Sequence, residues 1–261
     1  MAFNIENLII NRIVRGTLFD KSTNEVIVSV NQIADATLEC SGEQVFATDA
    51  LGQQIAAFDR SKTASFSASN ALLNFGLMAA QFGSEKVSGT ESAKITVPRF
   101  ELIDVTNPAS ITLAETPVEG SLKYIYSTTA DKTKDQKYTL GTSVSATEFA
   151  LVGKQITLPT DAFTVGSRVA VWYDTEKVEA QVIRNTTDKF SKGGKFVLEV
   201  LACDVCDTNK EYYCYIVFGN AKMDNNTSIE FGTEATQEFA LTALQDYCSA
   251  NNELFSIIIA E

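Results

Sequence analysis

The stretch "LACDVCDTNKEYYCYIVFGNAKM", from Leu201 to Met223, decides the fold class. It consists of two apolar runs on either side of the polar segment "DTNKE", and this pattern predicts two strands joined as a β-hairpin. Both faces of "YYCYIVF" are apolar, which is typical of a central strand that is covered on both sides. The stretch therefore predicts that the core of the protein is a β-sheet.

Strand patterns of the same kind fill most of the remaining chain. The segment "SKTASFSAS" alternates in polarity, so that Ala64, Phe66 and Ala68 share one face. From Thr106 to about Lys192 the strand runs follow one another at intervals of roughly ten to fifteen residues with polar turns between them, as in a β-sandwich or barrel. We therefore predict a mainly β fold.

One segment has the period of a helix instead. In "SNALLNFGLMAAQFG" the apolar residues recur at a spacing close to 3.6, which predicts a single α-helix over about 70–82. Ser69 or Asn70 is available as its N-cap and Gly83 as the residue that ends it. We expect this helix to pack on the sheet. Further on, Gly193 and Gly194 are expected to form a two-residue turn.

The composition excludes several classes of function. The chain has no histidine, which removes Ser-His-Asp and Cys-His nucleophiles and histidine-ligated metals. With 21 basic against 33 acidic residues its net charge is −12, whereas tight binding of nucleic acid requires a basic surface. Both observations favour a structural or assembly protein, and we predict that it is not an enzyme.

The spacing Cys203-x-x-Cys206 admits three interpretations. A structural zinc site needs four ligands, and the other thiols, those of Cys40, Cys214 and Cys248, are not paired in sequence. A redox pair is expected at a helix N-terminus, whereas this pair ends a strand. We favour two reduced structural thiols over a metal or redox site, and we expect no metal and no cofactor.

The amino-terminal stretch and the cysteine count suggest a reducing compartment. "MAFNIENLIINRIVRG" has no basic region before an apolar core, so we expect no signal peptide. Five cysteines, an odd number, favour free thiols. The longest apolar segment falls well short of the roughly 20 residues that span a bilayer. We therefore expect no membrane anchor, and we expect free thiols in a reducing cytosol.

Two segments resemble the tail tube (major tail) proteins of tailed bacteriophages. The first is "GEQVFATDALGQQIAAFDRSKTASFSASNALLNFGLMAAQFGSEK", and the second runs from Lys189 through "KEYYCYIVFGNAKM" and "SIEFGTEATQEFALTAL". The resemblance implies a β-sandwich or barrel of the tail-tube type with one packed helix. Residues 1–104 and 186–261 would form that core. Residues 105–185 would be a β-rich insertion or an elaboration of the same core.

The resemblance also implies a function. Members of the family form rings, commonly hexameric, that stack into a tube through which phage DNA is delivered. The expected partners are further copies of the chain, together with baseplate or tip, tape measure and terminator proteins of the tail in the virion. DNA would pass without specific binding, because an acidic channel repels phosphates.

The segment "GEQVFATDALGQQIAAFD" then gains a role in this assembly. It reads as a long hairpin or extended loop that is too apolar for a surface facing water. We predict that it contacts a neighbouring subunit through four side chains, those of Phe46, Leu51, Ile55 and Phe58.

Two other classes of function remain open at this stage. The first is another virion component, such as a head decoration, capsid-associated or tail-terminator protein, since these are also β-rich. The second is a β-rich enzyme or a carbohydrate-binding module, which would have to act without histidine.

Overall fold

The computed structural model describes residues 7–128, 134–205, 209–233, 236–247 and 252–260. Within these ranges the chain forms seventeen strands and one helix, which confirms the prediction of a mainly β fold. The elements in chain order are β1 (Leu8–Phe19), β2 (Val26–Val30), β3 (Ile33–Thr48), β4 (Gln54–Asn70), α1 (Phe75–Phe82), β5 (Val87–Ser88), β6 (Ile95–Asp104), β7 (Ser110–Thr112), β8 (Tyr124–Thr128), β9 (Lys134–Leu140), β10 (Glu148–Val152), β11 (Gln155–Thr157), β12 (Arg168–Lys177), β13 (Gln181–Val182), β14 (Gly193–Asp204), β15 (Glu211–Met223), β16 (Gln237–Ala243) and β17 (Ser256–Ala260).

The chain divides into two compact units. Unit 1 comprises Met1–Lys86 and Ile183–Glu261, and unit 2 comprises Val87–Val182. The middle segment was expected to begin at about residue 105, whereas unit 2 also includes β5 and β6. That the middle segment is an insertion into a shared core stays a prediction.

The large sheet of unit 1 is antiparallel in all its pairs and has the order β2-β1-β14-β15-β16-β4-β3, with β17 also paired to β15. The central pair β14–β15 is the predicted hairpin, in which Val200 lies opposite Cys214. Strand β15 bonds to β14 along one edge and to β16 and β17 along the other. The two strands that contain the apolar runs of residues 201–223 therefore lie at the centre of the sheet.

The core of unit 1 gathers on one face of this sheet. Ala64, Phe66 and Ala68 are all buried, so the predicted alternation of β4 is confirmed. The ring centroid of Phe66 lies 5.4 Å from that of Phe196 and 6.0 Å from that of Phe239. Buried aromatic side chains from three strands therefore meet at one point, and their burial contributes strongly to the stability of the sheet.

The prediction that β15 is covered on both faces is wrong. Tyr212 and Phe218 face the core, but Tyr213 is 44% exposed and its ring stacks on that of Tyr215. Tyrosine is amphipathic, and its ring can lie on a surface while its hydroxyl remains in water. The sequence pattern counts such a ring as apolar on either face.

The helix begins later than predicted. Ser69 and Asn70 belong to β4 and pair with β3, so neither caps a helix. The N-cap is Asn74, whose side-chain oxygen accepts the backbone N–H of Leu77 at 3.0 Å. At the other end Gly83 has φ +65°, which confirms the predicted helix stop. The ladder bonds of β4 outweigh the capping ability of Asn70.

Two buried glutamines fix the helix against the sheet. Gln237 of β16 is fully buried, and its Nε2 donates to Oε1 of Gln81 at 2.7 Å. Its own oxygen accepts the backbone N–H of Asn74 at 3.0 Å. The amide nitrogen of Gln81 donates to the carbonyl oxygen of Glu238 at 2.7 Å. Together these bonds join both ends of α1 to β16. The buried amide groups of Gln81 and Gln237 take part in hydrogen bonds, as buried polar groups generally do.

Unit 2 has its own sheet and core. Its seven-stranded sheet has the order β6-β12-β8-β9-β10-β11-β7, and β9–β10 is its one parallel pair among the described residues. Ile125, Phe149 and Val171 are fully buried between its strands. A separate two-stranded sheet pairs Val87 of β5 with Val182 of β13.

A polar network lies at one edge of the core of unit 2. The hydroxyl of Tyr173 donates to Oε1 of Glu101 at 2.5 Å, and Nε of Arg99 donates to the same oxygen at 2.7 Å. Burial raises the pKa of Glu101, but these bonds and the backbone N–H of Ala114 outweigh it and leave that pKa below its ordinary value. Burial and the bond to Glu101 raise the pKa of Tyr173 to about 12.

Candidate assembly surface

The hairpin β3–β4 extends beyond the core of unit 1 as a two-stranded ribbon. Its ladder runs from Ile33 opposite Asn70 to Thr48 opposite Gln54. The neighbouring strand β16 pairs with β4 only up to Ser65, and the last buried residue of β4 in that direction is Ala64. We call residues 41–63 the arm. Every residue of the arm is exposed except Val45 and Ala47, which are half-buried.

The tip of the arm is a well-defined turn. The side-chain oxygen of Asp49 accepts the backbone N–H groups of Leu51 at 2.9 Å and of Gln53 at 2.8 Å. Gly52 has φ +82°, a conformation that glycine adopts readily. These bonds hold Leu51 at the end of the arm, where its side chain is 86% exposed.

The base of the arm is polar. The hydroxyl of Ser41 lies 2.7 Å from that of Thr63, and Nε2 of Gln44 donates to Oδ1 of Asp59 at 2.8 Å. These cross-strand bonds keep the two strands in register, although no core covers them. The arm therefore has a hydrophilic base and an apolar outer half.

The outer half of the arm is apolar on both faces. Phe46 lies opposite Ala57, and Val45 lies opposite Phe58. Since successive side chains of a strand point to opposite faces, Phe46 and Phe58 lie on different faces of the arm. A two-stranded ribbon of this kind is only marginally stable in water by itself.

The four side chains predicted to contact a neighbour all belong to the arm but occupy different positions. Phe46 and Phe58 lie on its opposite faces, and Leu51 lies at its tip. Ile55 is the extra residue of a bulge, because the register shifts between the pairs Ala47–Ala56 and Thr48–Gln54. All four are at least 44% exposed. That they contact a neighbouring subunit stays a prediction.

The sequence pattern missed a second exposed apolar surface in unit 1. Ile257 and Ile258 of β17 are about half exposed, and the outer edge of β17 has no paired strand among the described residues. A cavity of about 540 Å³ lies nearby, lined by Lys62, Leu244 and Phe255 among others. The run of three isoleucines, which gives an apolar side chain to both faces, was the available signal.

The cysteines do not assemble into a reactive site in the described part of the chain. Cys203 is buried, with its Sγ 3.7 Å from the carbonyl oxygen of Ile9, and burial raises the pKa of the Cys214 thiol. Cys206 and Cys248 lie outside the described residues. Among the described side chains, no group of three or more histidine, cysteine, aspartate or glutamate residues is placed to hold a metal ion.

No helix in the described ranges is long and apolar enough to cross a membrane.

Comparison with protein families gives a match over nearly the whole chain. The model of the YomU/Tube protein family matches residues 8–257, which include the arm, the central hairpin and unit 2. No curated protein matches the chain significantly.

Proposed function

Because the chain belongs to the YomU/Tube protein family, the family of phage tail tube proteins, we propose that it is the repeating subunit of a tail tube. Copies of the chain would form rings, and stacked rings would form the tube through which phage DNA is delivered. The family match over residues 8–257 is the observation that carries this proposal. The role is structural and requires no catalytic residue.

The arm supports the proposal as a contact between subunits. Burying one phenylalanine side chain contributes about 1.5–3 kcal/mol, so leaving Phe46 and Phe58 in water forgoes a large part of the available stability. Since the two rings lie on opposite faces, complete burial of the arm requires neighbours on both of its sides. A stacked assembly of identical subunits offers that arrangement, with the arm inserted between other copies.

The distribution of charge supports a tube that DNA does not adhere to. Unit 1 contains 21 acidic against 12 basic residues, and unit 2 contains 12 acidic against 9 basic residues. The negative charge is therefore concentrated in unit 1, which also includes the arm and the large sheet. Acidic side chains of unit 1 that line a channel would repel phosphates and release no counterions on contact.

The remaining parts of the proposal concern location and partners. The protein would be part of the phage tail in the virion, after assembly in the cytoplasm of the host. The two ends of the tube would contact baseplate or tip proteins and a terminator, and the lumen would hold the tape measure before DNA passes. We also propose that unit 2 elaborates a ring-forming core made of unit 1.

Electron microscopy of the purified protein tests the proposal. We expect stacked rings with a central hole, either spontaneously at high concentration or after the addition of tail tip proteins. The variant Phe58→Ser should remain folded but assemble only at concentrations at least about tenfold higher, because it removes apolar surface only from the arm. Phe231→Ser is the matched control, since Phe231 is also exposed but lies outside the arm. Monomers under all conditions, or specific binding to preformed heads, would contradict the proposal.

A further inference from the structure

The base of the arm borders a cleft in unit 1. Two adjoining cavities of about 540 Å³ and 380 Å³ share the lining residues Lys62, Leu254 and Phe255. Leu244 lines the first cavity, and Cys40 lines the second. A water molecule takes up about 30 Å³ of the liquid, so the two cavities have room for several side chains. We call this pair of cavities the cleft.

The floor of the cleft is apolar and is held in place by the core. The ring centroid of Phe255 lies 5.7 Å from that of Phe218, which is fully buried. Leu254 also packs against the buried core of unit 1. Leu244 at the rim is 41% exposed, and its backbone N–H donates to the carbonyl oxygen of Asn220 at 2.8 Å. The cleft is therefore a preformed recess whose apolar groups are partly open to solvent.

The cleft and the tip of the arm carry opposite charges. Lys62 is the only charged residue among the described residues that line the cleft, and it forms no ion pair with any described residue. Asp49 is the only charged residue between positions 45 and 58. Its Oδ1 accepts the two N–H bonds of the turn, which leaves Oδ2 to face a partner. The tip therefore offers a negative charge beside the exposed side chain of Leu51, and the cleft offers a positive charge beside an apolar floor.

The tip of the arm does not reach the cleft of its own chain. The paired part of the arm extends from Ser41 to Thr48 along β3 and then continues into the turn. A strand rises about 3.3 Å per residue, so Leu51 lies roughly 30 Å from the base of the arm. The cleft lies at that base, because Lys62 and Cys40 belong to the two strands there. A tip that enters a cleft must therefore come from another copy.

We propose that the tip of the arm docks in the cleft of a second copy of the chain. Leu51 lies on the apolar floor, and the carboxylate of Asp49 lies beside the ammonium group of Lys62. This contact rests on the proposed function, since it names the surface that receives the arm in the assembly. Tip and cleft are different surfaces, so the contact is head-to-tail and can repeat from copy to copy without limit.

Cys40 allows a direct test, because its thiol is exposed and lines the cleft. The variant Leu51→Cys is assembled at high concentration or with tail tip proteins and is then mildly oxidised. The new thiol should bond to Cys40 of the neighbouring copy, whereas within one chain the two positions are too far apart, since a disulfide needs Cα atoms within about 7 Å. Head-to-tail bonds should give covalent trimers and longer chains on a denaturing gel without reductant. The wild type should give no such ladder, and Cys40→Ser in the variant should abolish it.

The charge pair is tested separately from the apolar contact. Asp49→Asn keeps a side-chain oxygen for the turn but removes the negative charge, and Lys62→Gln removes the positive charge. Each should raise the concentration needed for assembly about twofold to fivefold, as expected for a partly exposed ion pair. The double variant should be no worse than either single variant, because the pair is lost only once. Glu25→Gln, which removes an exposed negative charge outside the arm, should have no effect.

Three results would overturn the proposed docking while the proposed function stands. In a wild type that forms tubes, these are no covalent product longer than a dimer from Leu51→Cys, a ladder that persists after Cys40→Ser, and additive effects of Asp49→Asn and Lys62→Gln. A ladder that depends on Cys40, in an assembly without rings, would support the docking and contradict the tube. A wild type that never assembles would contradict both.

Discussion

Phe46 and Phe58 lie on opposite faces of the arm, because Phe46 pairs with Ala57 and Phe58 pairs with Val45. Neither ring can assist in burying the other. Any single surface that docks on the arm covers one phenylalanine and leaves the other in water. Full burial of the arm therefore needs two contacts, which makes separate substitutions of the two rings informative.

The first prediction is that Phe46→Ser and Phe58→Ser act additively on assembly. Each loses about 1.5–3 kcal/mol of apolar burial, which raises the concentration needed for polymerisation at least about tenfold. On the proposal that the two rings contact different neighbours, the double variant should combine the two effects. Sedimentation of the protein over a range of concentrations measures this. A double variant no worse than either single variant would show that one neighbour covers both faces.

The second prediction concerns the glutamine pair under the helix. Gln237→Ala leaves the backbone N–H of Asn74 and the side chain of Gln81 without their buried partner. We expect the free energy of unfolding to fall by about 2–4 kcal/mol, because unsatisfied buried polar groups are costly. Urea denaturation followed by circular dichroism measures the loss. Gln53→Ala at the exposed tip of the arm is the control, and an equal effect there would refute the role given to Gln237.

The third prediction compares two glycines with positive φ. At Gly83, φ is +65° and an added Cβ would lie 1.8 Å from the carbonyl oxygen of Phe190, whereas at Gly120, φ is +75° and no atom lies within 4 Å. Gly120→Ala should cost about 1–2 kcal/mol, the backbone strain alone. Gly83→Ala should cost clearly more, since the chain must also move. Thermal melting curves of the two variants distinguish strain from overlap, and equal losses would contradict the close approach to Phe190.

The fourth prediction is a pH dependence that arises from Tyr173 and Glu101. Tyr173 has its pKa raised to about 12 in the folded chain, against about 10 when unfolded. Its contribution to stability is complete below pH about 10 and is lost as the pH rises through about 12. The pKa of Glu101 is lowered on folding, so its contribution is present above about pH 4.3 and is lost as the pH falls further.

The variant Tyr173→Phe tests the alkaline half of this prediction. It removes the hydroxyl that donates to Glu101 and should lower the free energy of unfolding at neutral pH by about 1–3 kcal/mol. It should also flatten the loss of stability between about pH 10 and pH 12. Chemical denaturation at a series of pH values gives both numbers. Tyr124→Phe, an exposed tyrosine of the same unit, serves as the control.

Alternation in polarity made part of the fold predictable. The set Ala64, Phe66 and Ala68 was placed correctly, since a strand with one buried face repeats every two residues. The start of the helix was not predicted correctly, because Asn70 and Asn74 are equally good N-cap residues in sequence. The choice between them depends on the pairing of β4 with β3 and β16, which joins residues far apart in the chain.

The two adjacent glycines show another limit of local patterns. Gly193 and Gly194 were expected to form a turn, but both belong to β14. An added Cβ at Gly194 would lie 1.9 Å from the carbonyl oxygen of Phe19, so glycine is needed there because β1 passes very close. Adjacent glycines allow a tight turn, and they also allow two strands to approach closely. The sequence alone does not distinguish a turn from such a close approach.

The candidate assembly surface was predictable in location but not in arrangement. An apolar hairpin with a polar base can be recognised in "GEQVFATDALGQQIAAFD". The bulge at Ile55 and the assignment of Phe46 and Phe58 to different faces depend on the register of the ladder. The contact between Phe100 and Trp172 could not be found from sequence, since these two residues are brought together only by the pairing of β6 with β12.

The short pairing of β5 with β13 means that residues 87–182 can be replaced by protein engineering. Val87 and Val182 are neighbours across two strands, so the two ends of unit 2 lie side by side. Chain ends that meet in this way let a module be exchanged without stretching its host. A two-residue turn could replace residues 87–182, and a foreign domain with similarly close termini could be grafted at the same position, giving a scaffold that displays a chosen cargo once per subunit.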